Sequence, residues 1–151
     1  MTKIVTAEQM QQLDHRTIVE ARIPASMLME RAGAGALSCL EQRFGPVRGK
    51  TITVVCGKGN NGGDGFVVAR LLRRRHAQVR VLAMAPVSEL SRDAALMQKQ
   101  FVRSATKSSV HTYSSKGQAQ ALLQDSHLIV DALLGTGLSA AVTGRYADVI
   151  A

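Results

Sequence analysis

The sequence predicts an α/β fold, a three-layer αβα domain with a mainly parallel sheet. Three observations carry this. Short β-branched runs alternate with amphipathic segments of helical length, the pattern of strand–helix–strand units. A glycine-rich loop follows the first strand and opens directly into a helix. Two further helical segments come before that first strand, as an addition to a plain doubly wound unit.

Thr6 and Gln9 have the spacing of a capping box and open a helix running to about residue 21. Pro24 starts a second helix to about residue 43, with small residues from Ala32 to Ala36 along its middle. Residues 45–50 turn into the first strand, Thr51–Cys56. A helix then starts near Gly65 and ends in Arg73, Arg74 and Arg75, where cations suit the helix dipole. A strand over 78–85, a helix capped by Ser88 and running to about 103, and a short strand over 110–113 come next. Ser115 and Gln118 form another capping box for a helix to about 124, and 127–132 is the last strand.

The loop after the first strand is the densest chemical signal. Gly57, Gly59 and Gly62 spell G-x-G-x-x-G between a strand and a helix, the Rossmann-like arrangement for an anion at a helix N-terminus. The acid expected roughly 20 residues on, which would hold a ribose hydroxyl, does not stand at the tip of the next strand. The loop instead carries Asn60, Asn61 and Asp64 among Gly62, Gly63 and Gly65. Amides and a carboxylate add donors and acceptors that flexibility alone does not require. Asp64 has a structural alternative as N-cap of the helix near Gly65, and the asparagines have one as αL turn residues.

A second loop repeats the logic. Asp131 ends the apolar strand over 127–132, and Gly135, Thr136 and Gly137 follow, then Leu138, Ser139, Ala140 and Ala141. Ligands of doubly wound sheets gather at the carboxyl ends of strands, so both loops belong on one edge.

The runs GKGNNGGDGFVVAR and VDALLGTGL closely resemble the YjeF N-terminal domain family, the NAD(P)H-hydrate epimerases. The opening agrees too, with Met10-Gln-Gln-Leu-Asp14, Ile23-Pro24 and Leu28-Met-Glu-Arg-Ala-Gly33, so the resemblance runs from about residue 7 to 150. It implies an isomerase that interconverts the R and S forms of NADH or NADPH hydrated at C6. It implies hydrated-nucleotide contacts from Asn60, Asn61, Gly62, Gly63 and Asp64, and from Gly135, Thr136, Gly137, Leu138, Ser139, Ala140 and Ala141. It also implies a potassium ion on Asn61 and Asp131, consistent with the taste of hard cations for oxygen. An ADP- or ATP-dependent NAD(P)H-hydrate dehydratase, fused or cooperating, is the implied partner. The family continues into a further aspartate-bearing loop, so residues 1–151 read as one C-terminally incomplete domain. Members also serve as binding or interaction scaffolds, and that is the alternative. A homo-oligomer is open.

Epimerisation needs proton movement near the hydroxylated carbon, which points to Asp64 as the acid/base if Asp131 is held charged by an ion. The net charge of +8 invites a nucleic-acid reading, but the charge is dispersed and almost no aromatics interleave it. A basic face for an anionic dinucleotide is the more economical account. Cys39 and Cys56 read as small core residues, and His127 at a strand start as structural. The start shows no signal-peptide h-region and no run long enough for a membrane span, giving a cytoplasmic expectation.

Overall fold

The computed structural model describes residues 4–104, 109–138 and 140–151. Among the described residues six α-helices and four strands follow one another, all but the last in the expected order: α1 (Ala7–Val19), α2 (Ala25–Phe44), β1 (Thr51–Cys56), α3 (Asn60–Arg74), β2 (Gln78–Ala83), α4 (Arg92–Ser104), β3 (Val110–Thr112), α5 (Lys116–Gln124), β4 (Leu128–Ala132) and α6 (Arg145–Ile150). The sheet runs β3-β2-β1-β4 with every pair parallel. Strand order therefore reverses beside β1. The chain moves outward from β1 to β3 and then crosses back to place β4 on the other side.

Strand alternation sends each face of the sheet to a different helical layer. Ile52, Val54 and Cys56 join Val79, Val81 and Ala83 in a core closed by residues of α2, α3 and α4, among them Leu37, Phe66, Leu72 and Phe101. On the opposite face Val55, Leu82 and Met84 pack with Ala119 of α5 and with Tyr146 and Val149 of α6. Removing a fully buried side chain such as Leu72 would cost roughly 2–5 kcal/mol, a large part of a domain's net stability.

Small residues let the inner helices approach. A Cβ on Gly33 would stand 2.5 Å from Val67 Cγ1, so α2 meets α3 through the stripe of small residues foreseen in the sequence. The buried Arg70 of α3 pairs with Glu30 of α2 across that contact.

Several local expectations need correction. The helix after β1 begins at Asn60, with Gly59 in extended geometry as its N-cap, and not near Gly65. Asp64 is thus inside the helix and caps nothing, because the glycine run itself adopts helical geometry once Gly62, Gly63 and Gly65 are buried against neighbours. Ser88 sits in a 3₁₀ turn, Val87–Glu89, after Pro86. Ser91 takes over as cap of α4, its Oγ accepting the Ala94 N–H at 3.3 Å. Cys39 is exposed rather than core, whereas Cys56 is fully buried and burial pushes its thiol well above the ordinary range. The short α6 had no sequence signal. Arg145 ties it to the residue after β2 by donating to the Met84 carbonyl at 2.8 Å, and Tyr113 donates to Asp148 at 2.9 Å.

Other expectations hold. The Thr6–Gln9 capping box is present in both directions, with bonds of 2.8 and 3.2 Å. His127 is structural: its Nδ1 accepts the Thr51 N–H at 3.0 Å, and its own N–H donates to the Thr51 carbonyl at 2.8 Å. Among the described residues, no helix is long and apolar enough to cross a membrane.

Candidate functional site

Both glycine loops leave the sheet at the same edge. Cys56 of β1 lies in register with Ala132 of β4, and the Gly57 N–H donates to the Ala132 carbonyl at 3.0 Å. The loops therefore start side by side, at the point where strand order reverses and a crevice opens between neighbouring connections. A cleft of about 650 Å³ fills this crevice. The first loop and α3 contribute Lys58, Gly59, Asn60, Asn61 and Asp64 to it, and the second contributes Leu133 to Leu138. Gln11 and Asp14 of α1 close one side, and Tyr146 of α6 another.

Only glycine allows the loops to lie this close. A Cβ on Gly57 would fall 2.0 Å from the Leu133 carbonyl oxygen, and one on Gly62 would fall 1.9 Å from the Gly57 carbonyl oxygen. Gly63 is less confined, since a Cβ there would stand 2.9 Å from the flexible Met29 side chain and 3.3 Å from Ala94 Cα. Gly62 and Gly63 are buried and do not line the cleft; they set the backbone path that presents their neighbours.

The asparagines are held by specific bonds. Asn61 Nδ2 donates to the Leu134 carbonyl at 3.1 Å, joining the two loops, and Gly135 lies against the Asn61 side chain. Asn60 Oδ1 accepts from Ser91 Oγ at 3.2 Å, and the Ser91 N–H donates to the Lys58 carbonyl at 2.8 Å. The first loop is thereby fastened to the start of α4. On its other side the Lys58 N–H donates to Tyr146 Oη at 3.2 Å.

Charge is divided within the cleft. The N-terminus of α3 has no side-chain cap and no acid in its first turn, so its free N–H groups and dipole, together with Lys58, favour an anion. Asp64 and Asp14 supply the opposite sign. Asp64 is half-buried, and its carboxyl is pushed up to about 6, first by burial and then by the charge of Asp14. A carboxyl in that range exists in both protonation states near neutral pH, as acid/base work requires.

Of the residues singled out in the sequence, Asn60, Asn61, Asp64, Gly135, Thr136, Gly137 and Leu138 come together in the cleft. Ala140 and Ala141 do not line it, and Ser139 lies outside the described residues. Asp131 is exposed at the end of β4 and does not line the cleft either; its Oδ1 accepts the Leu133 N–H at 2.9 Å. It shapes the second loop from beneath while Asn61 grips the next carbonyl. Gln11, Asp14 and Tyr146 went unforeseen as lining. Asp14 stood in the opening motif, but Tyr146 had no signal, since it reaches the site through an unforeseen helix.

A larger groove of about 900 Å³ lies between α4 and the start of α2, and no residue of the two loops lines it. It mixes apolar positions such as Leu96 and Val102 with Arg92, Asp93 and Lys99. The smaller cleft has the chemistry.

Comparison with known proteins identifies the family. The family described as YjeF-related protein N-terminus matches residues 25–151. A protein of Rhodopirellula baltica named NAD(P)H-hydrate epimerase is 36% identical over 146 residues, covering 97% of this chain and 57% of that protein. A Rhodobacter capsulatus protein of the same name is 35% identical, covering 95% of this chain and 67% of the relative. A Moorella thermoacetica protein named bifunctional NAD(P)H-hydrate repair enzyme Nnr is 40% identical, covering 97% of this chain but only 28% of the relative. The chain thus spans only part of the curated relatives it matches. Among solved structures, the crystal structure of yeast ynu0, YNL200c, matches with a TM-score of 0.80 at 23% identity, over 99% of this chain and 63% of that one, which establishes the shared fold.

Proposed function

This chain belongs to the YjeF-related protein N-terminus family, and from that premise we propose that it is an NAD(P)H-hydrate epimerase acting on NADH and NADPH hydrated at C6. The observation that carries the reading is the meeting of Asp64, half-buried with a raised carboxyl, and the uncapped N-terminus of α3 in one cleft at the sheet's switch point. The helix end and Lys58 take the pyrophosphate. Asn60, Asn61 and the loop from Gly135 to Leu138 supply polar contacts to the sugar and the hydrated ring.

In the hydrate, C6 carries a hydroxyl and is bonded to the ring nitrogen. Protonated Asp64 gives its proton to that hydroxyl, the C6–O bond breaks, and water departs as the nitrogen lone pair forms a C=N bond. Water then adds to C6 from the opposite face and returns a proton to the carboxylate. Atoms and protons balance, with no external oxidant or reductant. The raised carboxyl suits the first step because a proton donor must still be protonated near neutral pH.

Potassium fits the donor set on chemical grounds. Asn61 spends its Nδ2 on Leu134 and Asp131 uses one oxygen for Leu133, so among the described residues Asn61 Oδ1 and the second Asp131 oxygen make no hydrogen bond. Asn61 and Asp131 would hold the ion, and its fixed positive charge would supply further attraction for phosphate. An ADP- or ATP-dependent dehydratase, fused as in relatives named bifunctional or separate, would consume the S epimer in the cytoplasm.

The test is epimer exchange in the full-length protein, followed by chromatography with an S-specific dehydratase draining the product. Exchange that drops at least about tenfold in Asp64→Asn supports the reading. Nucleotide binding with no exchange in the parent would instead support a binding scaffold.

A further inference from the structure

α1 is the least anchored helix of the domain. None of its residues is buried, and Met10, Leu13 and Val19 are exposed. Its own capping box and the Arg16–Glu20 pair stabilise it locally. Yet α1 is one of the walls of the cleft, and it reaches there through two polar side chains, Gln11 and Asp14. Three residues apart, they share one helix face.

Asp14 has no hydrogen bond or ion pair to protein among the described residues. It lines the same cleft as a second acid, Asp64, closely enough for its charge to be felt there. Like charges across a cleft oppose its closure, and no protein cation offsets them from α1: Arg16 is engaged with Glu20. An ionised carboxylate is acceptor-only, so what satisfies Asp14 is a set of hydroxyl or amide donors in the cleft.

We propose that Asp14, with Gln11 beside it, is a substrate-contacting residue that accepts hydrogen bonds from hydroxyl or amide donors of the hydrated nicotinamide–ribose half of the ligand. This rests on the epimerase reading and adds an orientation to it. The anionic pyrophosphate lies toward Lys58 and the α3 N-terminus, and the donor-rich hydrated end lies between Asp14 and Asp64. Reversing the ligand would bring phosphates against the Asp14 carboxylate and away from Lys58, which is unfavourable. The opening motif of the chain, 10–14, thereby acquires a chemical role that packing does not give it.

The test measures affinity of the full-length protein for NADH hydrate by calorimetry, with melting temperature recorded alongside. Asp14→Ala is expected to weaken binding by about tenfold, as for loss of a charge-assisted hydrogen bond, with Asp14→Asn falling between it and the parent. Gln11→Ala weakens binding less, and Gln12→Ala, on α1 but outside the cleft, leaves it unchanged. Melting temperatures stay close to the parent's because these side chains are exposed. If the parent binds the hydrate and Asp14→Ala binds it within about twofold, the assignment is overturned while the epimerase reading stands. Equal losses in Gln12→Ala and Asp14→Ala would also overturn it, since the helix as a whole would then be responsible. A parent that binds no hydrate removes both.

Discussion

The side-chain amide of Asn61 donates to the main-chain carbonyl of Leu134 at 3.1 Å, joining the loop after β1 to the loop after β4. Backbone register already sets the loops side by side at Cys56 and Ala132. The Asn61 bond fixes how far apart they stand beyond the sheet, and hence the width of the cleft. Asn61→Ala is expected to lose about 1 kcal/mol, the net worth of one such bond, lowering the melting temperature by roughly 2–4 °C. Asn61→Asp removes the donor and sets a carboxylate near the Leu134 carbonyl, so it should destabilise at least as much. Calorimetric melting of both variants checks this; an unchanged Asn61→Ala transition would show that the loops hold each other without the bond.

Glycines of one motif differ sharply in their tolerance. Gly62→Ala would set a Cβ 1.9 Å from the Gly57 carbonyl oxygen, against backbone with no flexible side chain to yield. A loss of about 3 kcal/mol or more is expected, at the upper end for overpacking. Gly59, by contrast, has open space around its Cβ position and φ of −92°. Gly59→Ala should cost less than about 1 kcal/mol, since glycine and alanine differ modestly as caps where no side-chain bond exists. Denaturant titration of the two variants decides the matter, and similar losses would refute the distinction.

Much of this arrangement was legible in the sequence, and what escaped shares a physical cause. Strand β1, the flanking glycine loop and both N-terminal helices follow from period, β-branching and capping residues, which act over a few positions. The common edge of the two loops followed from the parallel topology those elements require. The start of α3 was misplaced because glycine's poor helix propensity was overridden by tertiary contact: Gly62 is crowded by the Gly57 backbone, Gly63 by the Met29 side chain and Gly65 by the side chains of Ala132 and Cys56. α6 escaped because six residues carry too little periodicity, and its position is set by distant partners, Arg145 to Met84 and Tyr113 to Asp148. Asp14 escaped as a cleft residue because nothing local says what its helix leans over.

Potassium should stabilise the protein if Asn61 and Asp131 hold the ion. A ligand that binds only the folded state raises stability as RT ln(1 + [L]/Kd), so the melting temperature should climb with potassium at constant ionic strength. Sodium or choline substitution controls for general salt effects. Asn61→Ala and Asp131→Ala should each abolish the dependence on potassium, whatever they do to the melting temperature itself. A potassium-dependent rise retained in both variants would exclude these residues as ligands.

Asp64 makes stability and activity depend on pH in the same window. Its folded-state carboxyl titrates at about 6 against an ordinary 3.8, so between these values the native state binds more protons than the unfolded chain. Stability must then fall as pH rises through the window, and level off above about 6, where Asp64 is ionised in both states. The contribution is fully present below the ordinary value. Asp64→Asn cannot ionise, so it should flatten this part of the curve and melt above the parent at pH 8. The same proton serves the chemistry: with Asp64 as the donor, the parent's exchange rate should decline as pH passes upward through about 6, and the asparagine variant should be slow at every pH. Melting curves and epimer exchange from pH 4.5 to about 8 measure both effects on one set of samples. A flatter stability curve in Asp64→Asn with the parent's rate profile unchanged would leave Asp64 as a strained structural acid and take the proton step from it. Parallel curves for parent and variant in melting would mean that the carboxyl titrates at its ordinary value.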